Sequence, residues 1–203
     1  MLSRLRRSSK KRKNGQSLVE LALTLPILLL LFLGLIELAF VLRAYLILVN
    51  ANREAARFAS RGTFTDEQIA NQAVVSFAGQ LPAATSGPDM NTGIAITRFS
   101  IPADPSEPGT IRMPVYYSGT VPSIRSTKLD VYAELAKLEA DNKAFNDALV
   151  ATHPDAVRGI HNVIFVETYY DHEEVLHAPI VEWLFPDPIV LYVRTMMRIA
   201  AAR

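Results

Sequence analysis

Residues 21–36 read LALTLPILLLLFLGLI, sixteen positions without a charge, nine of them leucine. As a helix this run rises roughly 24 Å, somewhat less than a hydrocarbon core of about 30 Å. Apolar character resumes beyond Glu37 in LAFVL and beyond Arg43 in AYLILV, so one oily helix over Leu18–Val49 would reach about 48 Å. It would span a bilayer and project beyond it. A buried helix of a soluble protein keeps a polar stripe, and this one has none. Ahead of the run, residues 1–15 carry seven positive charges (Arg4, Arg6, Arg7, Lys10, Lys11, Arg12 and Lys13) and no acid. The overall charge of +1 therefore hides a basic head on an acidic body. The asymmetry predicts a cytoplasmic N-terminus with the rest of the chain outside. A cleaved secretory signal would have a shorter apolar core followed by small residues, whereas here the apolar run continues through Phe40, Val41 and Leu42.

The chain has 203 residues and no cysteine. That excludes a disulfide scaffold, thiolate metal sites and a cysteine nucleophile. Glu20 and Glu37 lie about 25 Å apart along the helix, so they can occupy opposite interfaces. For Glu37 a plain interfacial position is the favoured reading. Residues 50–61 read as a continuing helix with Arg53, Arg57 and Arg61 in one row and Ala51, Ala55, Phe58 and Ala59 in an apolar stripe. That stripe is either part of a solvated amphipathic extension or a surface for packing between subunits. Glu54 and Arg57 are placed to pair at i,i+3.

Gly15-Gln16-Ser17-Leu18-Val19-Glu20 follows the basic cluster directly and opens the oily helix. It resembles the processing signal of type IV pilins and pseudopilins. In that pattern a membrane peptidase cuts after the glycine, and a glutamate follows as the fifth mature residue. The resemblance implies cleavage between Gly15 and Gln16, with Glu20 setting register between subunits in the membrane. The chemistry agrees. Glycine offers a pliable scissile junction, read as lying just outside the helix. A carboxylate one turn from a new α-amine, or facing a neighbour's, offsets the desolvation of both charges in a bilayer. Asn50-Ala51-Asn52-Arg53-Glu54-Ala55-Ala56-Arg57-Phe58-Ala59 extends the match. Residues 15–60 resemble TadE-like proteins, minor pseudopilins of the tight-adherence (Tad) pilus system. One departure is Pro26, the eleventh mature residue, because major type IV pilins usually carry their helix proline further on.

The resemblance implies a structural subunit, not an enzyme, on the inner membrane or in a pilus. Its partners would be a prepilin peptidase, other pilus or pseudopilin subunits, the inner-membrane assembly platform and the lipid bilayer. No cofactor, metal or nucleic acid is expected. The competing reading is a membrane-anchored extracytoplasmic enzyme or ligand-binding module on a pilin-type anchor. An open polar pocket with clustered carboxylates and histidines would favour it.

The expected organisation is a basic leader over residues 1–15, a transmembrane and extended helix over 16–61, and an extracytoplasmic α+β domain over 62–203 resembling a pilin body. Gly62-Thr63 breaks the first helix, and Thr65-x-x-Gln68 opens a second, running to about Leu81. Ile94–Ile101 reads as a strand. Ile111, Met113, Val115 and Tyr117 alternate, with Pro114 demoting that strand to an edge or a bulge. Thr127-x-x-Asp130 opens a helix to about Val150, with Tyr132, Leu135, Leu138, Phe145 and Leu149 as its buried stripe. His153-Pro154 stops it. Asn162–Tyr170 is a central strand, and residues 189–199 form a closing strand with Tyr192, Arg194 and Arg198 on a wet face. Trp183, Leu184 and Phe185 suit a cap on the core, or a partner or membrane contact.

Two metal patterns fail, one on spacing and one on residue type. His172 and His177 are five apart, and a helical zinc pair needs four. Asp104-Pro105-Ser106-Glu107-Pro108 resembles the Asp-x-Ser-x-Ser site of von Willebrand-type domains in larger Tad relatives, but position 108 is proline. Phosphate-cradling glycine loops and Gly-x-Ser-x-Gly elbows are absent from the sequence.

Overall fold

The computed structural model describes residues 12–81, 91–118, 128–156, 159–176 and 188–199. It is α+β, with a long N-terminal helix α1 (Arg12–Ser60), α2 (Asp66–Phe77), β1 (Thr92–Ile101), β2 (Thr110–Ser118), α3 (Val131–Thr152), β3 (His161–His172) and β4 (Ile189–Ile199). Two compact units form. One holds α1 through Phe40 together with the segment beginning at Glu174, and the other runs from Val41 to Glu173 and resumes at Pro188.

In the second unit all four strands pair antiparallel in the order β2-β1-β3-β4. The apolar β3 is internal, as its strongly hydrophobic run predicts, and β2 lies at an edge, as Pro114 predicts. The β1–β2 register shifts between Ile96 and Arg98, where two residues of β2, Met113 and Pro114, oppose Thr97 alone. Such a bulge is where a residue without an N–H fits a ladder.

Alternation along the strands sends two sets of side chains to opposite faces. Ile94, Ile96, Ile164, Val166, Tyr170, Leu191 and Val193 join Leu48, Ala51, Ala55, Ala56 and Ala59 of α1 and Ile69, Ala73 and Phe77 of α2 in the main core. Phe99, Val163 and Phe165 face the other way, toward Leu129 and α3. There Phe99 and Phe165 meet edge to face at 5.3 Å, a geometry worth about 1 kcal/mol. The stripe of Ala51, Ala55 and Ala59 is thus buried within the molecule, and is neither a solvated extension nor a bare inter-subunit surface. Arg53, Arg57 and Arg61 are exposed as expected, and Arg57 pairs with Glu54 at 3.9 Å in the open, worth a few tenths of a kcal/mol.

Gly62, at φ 78°, ends α1 in the left-handed region that glycine tolerates best. The chain then turns back so that Phe64 stacks on Phe58 with centroids 3.6 Å apart. Thr65 and Gln68 form the capping box in full. The helix it opens ends at Phe77, four residues short of the predicted Leu81. The α3 cap differs from expectation too. Asp130 caps the helix by accepting from the Ala133 N–H, and Thr127 lies outside the described residues.

The buried stripe of α3 also needs correcting. Leu135, Leu138 and Leu149 are half-buried, but Tyr132 and Phe145 are 66% and 52% exposed. Asn142 and Asn146 are the buried residues of that helix. Their amides form a ladder: Asn142 donates to the Pro102 carbonyl, Asn146 donates to Asn142, and the Gly159 N–H donates to Asn146. A buried amide is tolerated because its partners are in place.

Candidate functional site

The candidate site is α1 itself. Among the described residues one helix, Gly15–Ser60, is long and apolar enough to cross a membrane. From Gly15 to Leu29 every residue is exposed, including Leu18, Leu21, Leu23, Leu25, Ile27 and Leu28. The helix continues through Pro26. Thr24, the one hydroxyl in the run from Leu21 to Ile36, donates to the Glu20 carbonyl at 2.9 Å. Its polar group is therefore satisfied within the helix, as a bilayer demands.

Gly15 and Gln16 are exposed, and they lie inside α1, which begins at Arg12. The junction is therefore helical, not just outside the helix. Glycine weakens the helix at this turn by about 1 kcal/mol relative to alanine, and a Cβ at Gly15 would meet open space. Glu20 follows one turn after Gln16, also exposed.

Glu37 departs furthest from expectation. It is fully buried and not a bare interfacial carboxylate. Its Oε1 accepts from the Val175 N–H at 3.1 Å and its Oε2 from the Leu176 N–H at 3.3 Å, within the same compact unit. Two backbone donors on one carboxylate offset its desolvation. No local pattern around Glu37 announces these partners, which lie 138 and 139 residues away.

Asn52 is a second buried polar residue of α1 that the sequence leaves unmarked. Fully buried among alanines, it donates to the Val166 carbonyl at 3.1 Å and to Thr195 Oγ1 at 2.9 Å, and accepts from Thr168 Oγ1 at 2.9 Å. The short side chains at Ala51, Ala55 and Ala56 let the helix approach β3 and β4 closely enough for an amide to reach both.

Two further polar clusters lie in the second unit. Buried Asp66 holds Arg98 at 2.6 Å and Arg112 at 3.4 Å, and Arg98 also donates to the Phe64 carbonyl at 3.1 Å. Buried Glu167 accepts from the Tyr192 hydroxyl at 2.8 Å and the Tyr169 hydroxyl at 3.3 Å, with Lys128 over the Tyr192 ring. Burial first, then the hydrogen bond and charge of Glu167, pushes the Tyr192 phenol well above its ordinary value. Burial, followed by the Glu173 charge, pushes Tyr170 up to about 12 against a smaller opposing hydrogen bond with Asn91.

The segments read for metal chemistry serve other ends. His172 closes β3 and is buried beside the Tyr170 ring, while His177, Trp183, Leu184 and Phe185 lie outside the described residues. Asp104 accepts from both the N–H and the hydroxyl of Ser106 at 2.8 Å, which closes a turn. The turn borders an open groove of about 400 Å³ between the β1–β2 connection and α3. In that groove Glu139 accepts from the Gly109 N–H at 2.7 Å. A Cβ at Gly109 would come within 2.8 Å of Leu135 and 2.9 Å of Glu139, so a larger residue there would displace the ends of both side chains. Among the described residues no three His, Asp or Glu side chains gather where they could hold a metal.

No curated protein and no solved structure matches this chain. The family comparison does find a match. It covers the exposed apolar run, the buried Glu37 and the alanine face through Arg57, and the family whose model fits residues 15–57 is that of TadE-like proteins, Tad pilus-associated structural components.

Proposed function

We propose that this chain is a membrane-anchored minor pseudopilin of Tad pilus assembly, cut after Gly15 by a prepilin peptidase. Its basic leader stays in the cytoplasm, its helix crosses the inner membrane, and its α+β unit is extracytoplasmic. The observation that carries this reading is the Gly15/Glu20 pair at the head of a helix whose side chains are exposed all round from Gly15 to Leu29. A helix so apolar and so uncovered needs lipid or other helices around it. Basic residues ahead of the span orient it. Glu20 then receives the new α-amine, its own or that of a docking subunit, in a medium where neither charge is stable alone. Other pilus subunits and the assembly platform are the partners of that helix.

The test follows the N-terminus and assembly together. With an active peptidase present, the membrane-bound protein should begin at Gln16 by mass spectrometry. An intact Met1 form persisting beside active peptidase, or a cut beyond Val49, would refute processing. A bulky residue at Gly15 should block the cut and leave insertion intact. In Glu20→Gln, insertion and cleavage should persist while co-purification with other pilus components is lost. Normal co-purification and piliation in that strain would remove the role assigned to Glu20 and leave the anchor standing.

A further inference from the structure

We propose that Glu37 is a latch holding Val175 and Leu176, just after β3, at the outer surface of the bilayer, so that Val175 is a second lipid contact beside the helix. The inference rests on the membrane reading above and adds a depth and a second contact to it. Glu37 is the first fully buried residue met along α1. From Gln16 to Ile36 the helix rises about 32 Å, close to a hydrocarbon core of about 30 Å. A span beginning at the processed end therefore runs out at the level of Glu37. There the carboxylate is turned inward and occupied by the N–H groups of Val175 and Leu176. Turned toward acyl chains it would be strongly disfavoured, and the two donors give it a reason to stay at that height.

Exposed apolar side chains lie at the height of the latch. Leu35, Leu38 and Val175 are 64%, 52% and 44% exposed. Leu35 and Leu38 flank Glu37 along the helix, and the Val175 backbone is bonded to it. Three exposed hydrophobes at the height of a satisfied carboxylate, where the span ends, fit the boundary between headgroups and acyl chains better than water. The occupant of this surface is the outer lipid leaflet.

The lack of native cysteines makes the test direct. The full chain would carry one fluorophore, at Val175→Cys or at Leu28→Cys, in phosphatidylcholine–phosphatidylglycerol vesicles doped with nitroxide lipids, shallow or deep. The Val175 label should be quenched by the shallow nitroxide and little by the deep one, with the reverse order at Leu28. Adding Glu37→Ala should bring a several-fold loss of shallow quenching at Val175 and no change at Leu28. If the Leu28 label is quenched and the Val175 label by neither lipid, the latch is overturned and the anchor survives. If the Leu28 label is unquenched, the membrane reading itself fails. If Val175 quenching is unchanged in Glu37→Ala, Glu37 is not what holds the segment there. The measurement with Glu37 in place decides the depth whether or not that variant folds.

Discussion

Two stretches of the same helix use opposite surfaces. Between Gly15 and Leu29 α1 is leucine-rich and exposed all round, whereas between Ala44 and Ala59 it buries Ala44, Leu48, Ala51, Asn52, Ala55, Ala56 and Ala59 on one face and keeps Arg53 and Arg57 outside. Large side chains mark the part left for lipid or neighbouring helices, and small ones the part that packs on the sheet. Total apolarity is thus a poor guide to burial along this helix. The size of the side chain and the periodicity of the polar residues separate the two regimes.

The sharpest way to break this comparison is a matched pair of truncations. Leu48→Ala should destabilise the sheet-bearing unit by about 3 kcal/mol, the usual cost of emptying a buried leucine site. Leu28→Ala should change the same denaturation midpoint by less than about 0.5 kcal/mol. Equal effects in detergent-solubilised full chain would mean that the two stretches do not differ as described. Asn52→Ala comes next, at about 2 kcal/mol, because the Thr168 and Thr195 hydroxyls lose their partner. A loss no larger than that of an exposed control such as Arg53→Ala would show that the alanines alone carry the contact.

Titration gives the smallest effects and confines them to the sheet-bearing unit. Tyr170 and Tyr192 are raised in the folded state, so their contribution is complete below pH 10 and fades as pH rises through the folded value, about 12 for Tyr170. Absorbance should show the tyrosinates of these two residues only on unfolding, and Tyr170→Phe should remove part of the alkaline loss. His161 is lowered by burial and then by Arg198, so protonation favours the unfolded chain. Stability should slip as pH falls through 6.5, and His161→Gln should flatten that slope.

What could be read from the sequence was local. The Thr65–Gln68 box names its own partners within three residues, Pro114 carries its edge position in its missing N–H, and the run of β3 shows its burial on both faces. What could not be read was decided by distant partners. Asn142 and Asn146 look like surface residues until the Pro102 carbonyl and the Gly159 N–H are set against them, and they take the buried face from Tyr132 and Phe145. Glu37 and Asn52 are the same case within α1, since each is explained by backbone groups more than a hundred residues away. The pattern Gly15 and Glu20 form rests on the sequence alone, and the helical state of residues 15 and 16 escaped it, because glycine reads as a pliable position outside a helix while α1 runs through it from Arg12.

The three bonds of Asn52 have a mechanical meaning. Sliding α1 by one residue would shift this amide by about 1.5 Å and swing it by about 100°, and all three partners would be lost together. The helix is therefore keyed to β3 and β4 and cannot ratchet along them. A pull along α1 would pass through Asn52 into two antiparallel strands at once.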